Sequence, residues 1–378
     1  MGFWRHLAAV ACLAGAGLIS AADLAQGQVF DSREHRFEAV VLTGGLANPW
    51  GLAFLPDGRM LITERPGRLR IFDAGTGLSR PLSGLPEVFA RDQGGLLDVV
   101  PHPDYADNGW IYLTYAMPAD GGARTAISRA RLDGLALRDL ESVFVAQNPG
   151  SGGRHFGSRI AFGSDGKLYV AIGERGDPDA AQNLQNHNGT VLRLNADGSV
   201  PPDNPFVGRA DALPSVYTYG HRNPQGMIRH PLRDEIWLHE HGPQGGDEIN
   251  RLVAGANYGW PVVTFGRSYA GFPIGEGSAK PGMQPPLYHW TPSIAPSGMA
   301  FYEGDAFPNW RGNLFVGSLK FRYLARVVLD GTRVVSEERL VEQAFGRIRD
   351  VRQGPDGLIY ILTDESDGRL IRLQPVAG

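Results

Sequence analysis

Residues 163–174 read GSDGKLYVAIGE, and residues 354–365 repeat the same form as GPDGLIYILTDE. Each segment is a turn that contains Gly and Asp, followed by an apolar run that is rich in β-branched and aromatic residues and ends in polar ones. Glycine supplies the positive φ that a tight turn needs, and the apolar run is typical of a buried strand. Related segments occur at residues 55–72, 107–116, 232–242 and 310–319, so the chain holds six copies of one turn-and-strand unit.

The spacing of these six units predicts the architecture. Successive units lie roughly 45 to 75 residues apart, which is the spacing of propeller blades. Most are followed by a further strand, such as GRLRIF at residues 67–72, and the 51 glycines and 27 prolines along the chain indicate many turns. Residues 135–145 fit a turn of helix and a strand equally well. We therefore predict an all-β fold in which residues 36–375 form a single six-bladed β-propeller of four-stranded antiparallel blades.

The amino terminus indicates export. Residues 1–22 are typical of a secretory signal peptide, with Arg5 and His6 before an apolar run and small residues at the end. The apolar run is too short to span a bilayer comfortably, although a retained membrane anchor is the alternative. We predict a signal peptide over residues 1–22, an N-terminal linker over residues 23–35, a periplasmic location and no stable membrane insertion. Cys12, the only cysteine, lies in the signal segment, so the mature chain would have no disulfide or thiolate chemistry.

The composition argues against one class of partner. The formal net charge is −4 at pH 7, from 36 basic and 40 acidic residues, whereas a nucleic-acid-binding face is normally basic. Charged residues make up 20% of the chain and hydrophobic residues 42%, which is typical of a globular protein with ample core. We therefore expect a small-molecule ligand and no nucleic acid.

The candidate site lies in the longest gaps between the strand units. Three motifs crowd together there, namely HRNPQG at residues 221–226, HEHGPQGGDEIN at 239–250 and NYGW at 257–260. Loops on a rigid scaffold often carry function. The carbonyl oxygens of Gly242 and Pro243, with the carboxylates of Asp247 and Glu248, are hard ligands that favour Ca²⁺ over zinc.

Three histidines have competing interpretations. His155 precedes the strand of the third unit, in a loop that would open on one face of the propeller, where an accessible imidazole can act as a general base. A lone histidine is more often structural or simply exposed. His239 and His241 could indicate a transition metal, but that site would need a third ligand.

Two groups of cations indicate an anionic ligand. Arg222 and Asn223 offer a forked cation and an amide, which suits an oxygen-rich anion, although Asn223 could equally hold a turn that closes a blade. Arg347 and Arg349 share one side of a strand if its side chains alternate. Their mutual repulsion would be relieved by a bound polycarboxylate, by Asp350 or by a solvent-facing position.

The ordered set of motifs resembles a known family. Beside the three motifs above, it includes NPWGLAFLPDG at residues 48–58, DQGGLLDVVPHPDY at 92–105, RHFGSRIAFGSDGKLYVAIGERGD at 154–177 and RIRDVRQGPDG at 347–357. The chain resembles the soluble, pyrroloquinoline quinone (PQQ) dependent aldose sugar dehydrogenases, six-bladed propellers related to soluble quinoprotein glucose dehydrogenase. The resemblance covers essentially the whole mature chain.

The resemblance implies four catalytic residues. His155 would be the base that takes the proton of the anomeric hydroxyl while hydride moves from the sugar's C1 to PQQ. Arg222 would stabilise the developing negative charge beside the reacting carbonyl. Gln93 would neighbour the reacting centre, and Glu174 would support His155.

The resemblance also implies the cofactor and metal ligands. The residues that would contact PQQ are Asn223, His241, Ser293, Lys320, Arg347 and Arg349. The carbonyls of Gly242 and Pro243 would bind the Ca²⁺ that bridges protein and PQQ. A second, structural Ca²⁺ would lie near Asp247, Glu248 and Tyr258.

The activity implied is oxidation of aldoses at C1 to the lactone, with electrons passed to an external acceptor. His241 stands where the glucose enzymes are expected to have Gln, and the loops are shorter, which favours a monomer and broad use of aldoses. Two other classes stay open. One is a propeller lactonase or other metal-dependent hydrolase, which would need a metal held by carboxylates at the channel centre, and the other is a non-enzymatic carbohydrate-binding propeller.

Overall fold

The structure, a computed structural model, describes residues 27–376. In that range, 25 strands form six antiparallel sheets, beginning with β1 (Gln28–Asp31) and β2 (Arg36–Leu46). The helical segments are the short α1 (Tyr105–Asn108) and two 3₁₀ turns, Pro178–Gln182 and Pro308–Trp310. The predicted all-β, six-bladed propeller is confirmed. Among residues 27–376, no helix has the length and the apolar character that a membrane crossing requires.

Five blades are continuous stretches of chain with four strands each. The first contains β3 (Pro49–Phe54), β4 (Met60–Glu64), β5 (Arg68–Asp73) and β6 (Gly77–Leu78). The second contains β7 (Leu96–Pro101), β8 (Trp110–Ala119), β9 (Gly122–Asp133) and β10 (Ala136–Val145). The third contains β11 (Ile160–Phe162), β12 (Leu168–Ile172), β13 (Thr190–Leu194) and β14 (Val216–Tyr219). The fourth contains β15 (Pro224–Arg229), β16 (Ile236–Glu240), β17 (Asp247–Arg251) and β18 (Tyr288–Trp290), and the fifth contains β19 (Pro296–Phe301), β20 (Leu314–Ser318), β21 (Leu324–Asp330) and β22 (Arg333–Leu340).

The sixth blade joins the two ends of the chain. It contains β23 (Ile348–Gln353), β24 (Ile359–Thr363) and β25 (Gly368–Pro375), followed by β2 and β1. Backbone pairing of β2 with β25 closes the ring. Residues 28–31, expected to belong to a linker, instead form the edge strand β1. The ring of Phe30 explains this difference, because it stacks on Phe37 at 5.6 Å between ring centroids and lies 5.9 Å from Phe345.

The repeated units found in the sequence are the second strands of the blades. β4, β12, β16, β20 and β24 are buried along their whole length. Neighbouring blades cover both faces of each second strand, so apolar residues run continuously there instead of alternating with polar ones. Residues 136–145, for which helix and strand were both open, form strand β10.

The first strands line the centre of the ring. Each packs against the first strand of the next blade, and β23 packs against β3, so the circle is complete. In an antiparallel blade, the connection from the second to the third strand lies on the same side as the connection that enters the blade. We call this side the upper face. Every predicted site residue except Tyr258 lies in these connections or in the first two residues of the strand that follows.

Candidate active site

A cavity of about 370 Å³ lies on the upper face, above the central channel. Two buried aromatic residues, Trp50 and Phe156, form part of its wall. Five of the predicted site residues line it, namely Gln93, Asn223, His241, Arg347 and Arg349. Three charged residues that the sequence did not single out line it as well, namely Arg65, Asp92 and Asp364.

His155 and Glu174 form a buried pair beside this cavity, next to Phe156. Nδ1 of His155 lies 2.9 Å from Oε1 of Glu174. Because a carboxylate only accepts, Nδ1 carries the proton and Nε2 is left as the acceptor of the ring. Burial lowers the pKa of His155, the hydrogen bond to Glu174 raises it, and Arg222 lowers it. The net lowering favours the neutral imidazole that a general base requires.

The loop that carries His155 is held in an unusual backbone conformation. The φ angle of His155 is 55° and that of Gly157 is 64°. A Cβ on Gly157 would lie 2.7 Å from the backbone nitrogen of Gly173, so this position requires glycine. Oε1 of Gln93 accepts a hydrogen bond from the His155 backbone N–H at 2.8 Å, and Oδ1 of Asn223 accepts one from Gly157 at 3.3 Å. Gln93 and Asn223 therefore fix the backbone beside the histidine.

Arg222 connects two loops of the fourth blade. Its Nη1 donates to the carbonyl oxygens of Gly242 at 2.9 Å and His241 at 3.2 Å. Its backbone N–H donates to Oε2 of Glu240 at 2.6 Å. Its Nε is buried and has no hydrogen-bond partner in the part of the chain that the structure describes. Arg222 does not line the main cavity; it lines a small recess next to it, together with Gly242 and Glu240.

Three arginines surround one aspartate at the cavity wall. Oδ2 of Asp364 accepts hydrogen bonds from Nη2 of Arg349 at 2.6 Å and of Arg347 at 3.3 Å, and Nη2 of Arg65 lies 3.8 Å from Oδ1. Burial raises the pKa of Asp364, but the arginines outweigh burial and hold this pKa well below its ordinary value. Arg347 and Arg349 thus reach a common partner, as expected for side chains on one side of a strand, but that partner is not Asp350.

Asp350 belongs to a second cluster, deeper in the central channel. Arg159 places Nη1 3.1 Å from Asp98 and Nη2 3.0 Å from Asp350. Arg352 lies 3.2 Å and 3.0 Å from the same two carboxylates. Two cations and two anions therefore balance each other and close the channel below the cavity.

Two residues expected at the cofactor engage other groups. Oγ of Ser293 donates to Oδ2 of Asp247 at 2.8 Å. Lys320 is exposed, with Nζ 5.1 Å from the centroid of the Phe321 ring. Asp247 also accepts three backbone N–H groups, including that of Gly242 at 2.8 Å. Burial raises the pKa of Asp247 to about 6, while these hydrogen bonds lower it. Protein donors therefore occupy both oxygen atoms of Asp247.

The two histidines of the HEHG motif do not share a ligand. Nε2 of His241 lies 2.6 Å from the carbonyl oxygen of Pro296, to which it donates. His239 is fully buried, neither of its ring nitrogens has a hydrogen-bond partner among the described residues, and burial lowers its pKa to about 3. Within residues 27–376, no group of three or more His, Cys, Asp and Glu side chains is placed to hold a metal ion. A cation here would need backbone or amide oxygens.

Oxygen atoms of that kind lie near Arg222. The carbonyl of Pro243 accepts no hydrogen bond from residues 27–376. Oδ1 of Asn250 is buried without a partner there, while its Nδ2 lies 3.2 Å from Glu248 and 3.4 Å from Glu240. Burial and the neighbouring Glu240 raise the pKa of Glu248 to about 8. A cation would stabilise two carboxylates at such close range.

The model of the family described as Glucose / Sorbosone dehydrogenase matches residues 46–372. The chain belongs to this family. It is 47% identical over 341 residues to aldose sugar dehydrogenase YliI of Escherichia coli (strain K12), a match that covers 89% of this chain and 92% of that protein. A solved glucose dehydrogenase structure is similar with a TM-score of 0.87 at 47% identity, covering 90% of this chain and 99% of the other. The PQQ-bound form of aldose sugar dehydrogenase from Streptomyces coelicolor is similar with a TM-score of 0.75 at 30% identity, over 93% of this chain and 98% of that one.

One repeated feature of the sequence indicates site residues that the motifs missed. It is a carboxylate near the end of the second strand of a blade. In four blades, a carboxylate at the end of the second strand or within two residues of it bonds the connection that enters the same blade, namely Glu64, Glu174, Glu240 and Asp364. Each accepts hydrogen bonds from the connection that enters its own blade, from Ala47, His155, Arg222 and Arg347 respectively. Alignment of the units on this position would have identified Asp364 and Glu240.

Proposed function

We propose that this chain oxidises aldose sugars at C1 to the lactone, with PQQ and Ca²⁺ as cofactors and His155 as the general base. The observation that carries the proposal is the buried His155–Glu174 pair beside a cavity lined with cations. Membership of the family supports it, since one relative is named an aldose sugar dehydrogenase and another is a PQQ-bound form. The electrons would pass to an external acceptor.

The cavity fits a planar cofactor with several carboxylates. Trp50 and Phe156 offer aromatic surface for a flat ring system. Around Asp364, three guanidinium groups share one carboxylate, and the excess positive charge would be neutralised by the carboxylates of PQQ. The buried Nε atoms of Arg65 and Arg349 lack partners among residues 27–376. The residues that would hold PQQ are Asn223, His241, Arg347 and Arg349, with Ser293 and Lys320 joining only if their side chains turn towards it.

Two places fit Ca²⁺, which takes six to eight oxygen ligands in proteins. The first is at the Pro243 carbonyl and at Gly242, whose carbonyl has a second lone pair beside the one that Arg222 uses. The second is at Glu248 and Asn250, where a buried oxygen lacks a partner among the described residues. Tyr258 would contribute there through its backbone, because its hydroxyl donates to the Arg251 carbonyl at 2.5 Å. Asp247 would support the first place through its bond to the Gly242 N–H.

The arrangement assigns a task to each catalytic residue. Nε2 of His155 would accept the proton of the anomeric hydroxyl, since Glu174 holds the Nδ1 proton. When bound, PQQ supplies the acceptor for the hydride that leaves C1. The loss of that hydride and of the hydroxyl proton converts the ring sugar to its lactone. Arg222 would stabilise negative charge near the reaction, and Gln93 would keep the His155 backbone in place.

The compartment and the assembly state stay predictions. The signal peptide predicted over residues 1–22 lies outside the residues that the structure describes. We infer export to the periplasm from its sequence pattern, and a monomer from the short loops.

The test is dye reduction by purified protein that has been stripped of metal and cofactor, with glucose and several other aldoses. Activity is expected only when PQQ and Ca²⁺ are both added. One lactone should form for every two electrons that the dye accepts. Absence of activity across the aldoses, with PQQ bound or unbound, would contradict the proposal and favour the hydrolase or the carbohydrate-binding alternative.

A further inference from the structure

A second buried His–Glu pair lies in the fourth blade, and the proposed function gives it no role. Nδ1 of His221 lies 2.8 Å from Oε1 of Glu240, and its Nε2 lies 2.9 Å from Oγ1 of Thr218. The ring of His221 stacks on Tyr258, with 4.6 Å between the centroids. His221 is fully buried. With both ring nitrogens in use and no access to solvent, this histidine cannot act on a substrate directly.

The pair repeats the construction of the catalytic pair. In both blades the histidine lies in the connection that enters the blade, and the glutamate follows 19 residues later, at the end of the second strand. The difference lies in the second oxygen of the glutamate. Oε2 of Glu174 accepts from the Gly176 backbone in its own loop, whereas Oε2 of Glu240 accepts from the backbone of Arg222.

Glu240 thus joins His221 to Arg222, which is held at both ends. Its backbone N–H is fixed by Glu240, and its guanidinium is fixed by the carbonyls of His241 and Gly242. These acceptors all come from residues 240–242. A shift of that segment relative to His221 would therefore move the guanidinium.

We propose that His221 and Glu240 are positioning residues for Arg222, and that they keep its guanidinium beside His155. The inference rests on the proposed function, because Arg222 has a catalytic task only there. A displacement of about 1 Å in a catalytic group can lower the rate by a factor on the order of 100. A pair that serves stability alone would change unfolding and leave turnover intact.

The first readout needs neither activity nor cofactor. In protein free of PQQ and Ca²⁺, hydrogen–deuterium exchange of the Arg222 amide should rise at least about tenfold in Glu240→Ala, since a hydrogen bond to a charged acceptor is lost. Glu240→Gln should keep the amide protected, because a glutamine can accept from Arg222 and donate to the other tautomer of His221. Equal protection in Glu240→Ala and the wild type would overturn the proposal.

The second readout separates positioning from stability. At saturating PQQ and Ca²⁺, Glu240→Ala should lower kcat by about 100-fold with little change in the sugar's KM, and Glu240→Gln should restore most of it. Glu64→Ala is the matched control, because Glu64 holds the same position in the first blade and binds the Ala47 N–H at 2.6 Å. It should destabilise the fold and keep kcat. An equal loss of kcat in Glu64→Ala, or no loss in Glu240→Ala, would contradict the proposal and show that the His221–Glu240 pair has only a structural role.

A variant that keeps the aromatic stack guards against misfolding. His221→Phe retains a ring against Tyr258 and loses the bond that orients Glu240. In a folded protein, the Arg222 amide exchange should rise and kcat should fall, each by less than in Glu240→Ala, because Glu240 can still accept from Arg222. If the wild type itself fails to oxidise any aldose with PQQ and Ca²⁺, the proposed function has failed. The amide exchange of Arg222 then still decides whether the pair positions it.

Discussion

Two clusters of arginine and aspartate lie along the central channel, and they differ in their balance of charge. The deeper cluster pairs Arg159 and Arg352 with two carboxylates, and every charge has an opposite neighbour. The upper cluster has one carboxylate, Asp364, for three arginines. Burial lowers the pKa of Arg65, Asp364 raises it, and the two neighbouring arginines lower it. The charges of the deeper cluster balance among themselves, whereas the upper cluster keeps an excess of positive charge that a bound anion would neutralise.

The difference matches the position of the cavity, because all four charged residues of the upper cluster line it. Breaking a buried ion pair costs stability because the remaining charge is unpaired. In the upper cluster, the unpaired positive charge would lower the stability of the protein without cofactor. A bound polycarboxylate would offset this loss. The two clusters should therefore respond differently to mutation, one in stability and the other in binding and turnover.

The largest expected effect is at the proposed catalytic pair of His155 and Glu174. His155→Ala should lower kcat by a factor on the order of 100 to 10,000, because the proton acceptor is removed, while PQQ stays bound. Dye reduction and a PQQ binding titration measure the two quantities. His102→Ala, which removes a partly exposed histidine on the lower face, is the control and should keep its turnover. Wild-type rates in the His155 variant would remove the basis of the mechanism.

The next effect is on the deeper cluster. Asp350→Ala leaves Arg159 and Arg352 with one carboxylate between them, so the free energy of unfolding should fall by about 3–5 kcal/mol. Denaturant unfolding of the protein without cofactor measures it. The exposed pair of Asp330 and Arg333 supplies the control, and Asp330→Ala should cost less than about 1 kcal/mol. A similarly small loss in the Asp350 variant would show that the deeper cluster does not stabilise the channel.

Mutation of the upper cluster should lower the affinity for PQQ. Replacing Arg347 and Arg349 together by Ala removes two charged donors worth about 1.5–3 kcal/mol each when bound to a carboxylate. PQQ should therefore bind at least about tenfold more weakly, measured by titration of the metal-loaded protein. Arg352→Ala serves as the control, since it should reduce stability without a comparable loss of affinity. If Arg352→Ala weakens PQQ binding as much as the double replacement does, the two clusters do not differ in the way proposed.

The smallest effect is a displacement of the pH profile. His155 must be neutral to accept a proton, and its pKa is lowered by burial, so the acid limb of kcat/KM should lie below pH 6.5 and activity should fall as the pH drops through that limb. Glu174 raises this pKa, so in Glu174→Gln the residual activity should show a limb at still lower pH. An upward displacement would mean that another group controls the limb.

Most of the fold could be predicted from the sequence because each blade repeats a local pattern. A glycine turn followed by a continuous apolar run, as in residues 163–174, reports a strand that is covered on both faces. Six such units predict six blades. The edge strand β1 was missed because Phe30 is a single aromatic in a polar segment. Its cross-strand partner Phe37 lies in the next strand, but Phe345, which also contacts its ring, comes from the far end of the chain.

The grouping of candidate residues was predictable where each residue lies in a single connection. His155, Arg222 and Asn223 lie in loops that enter blades, and the antiparallel topology puts all these loops on one face. Alternation put Arg347 and Arg349 on one side of a strand, but it could not name their partner Asp364. Asp350, one of the alternatives, contacts Arg159 and Arg352 instead. Five of the six pairs formed by first and second strands contain a β-bulge, and one lies between Ile348 and Asp350. A bulge re-aims side chains, so counting by twos does not give the direction of the residues beyond it.

By itself, the sequence determined the strands, the number of blades, the family and the residue types available for chemistry, because turns, buried strands and motifs are local in the chain. The tertiary structure decided which charges meet. It joined Asp364 to three arginines and placed Asp350 in the deeper cluster. It also brought Glu240 within hydrogen-bond distance of His221 and Arg222. Asp364 with Arg65 and Asp350 with Arg159 join residues far apart in the chain, so no local pattern encodes these two pairings. The repeated carboxylate near the end of the second strands indicates Asp364 and Glu240, but it does not name their partners.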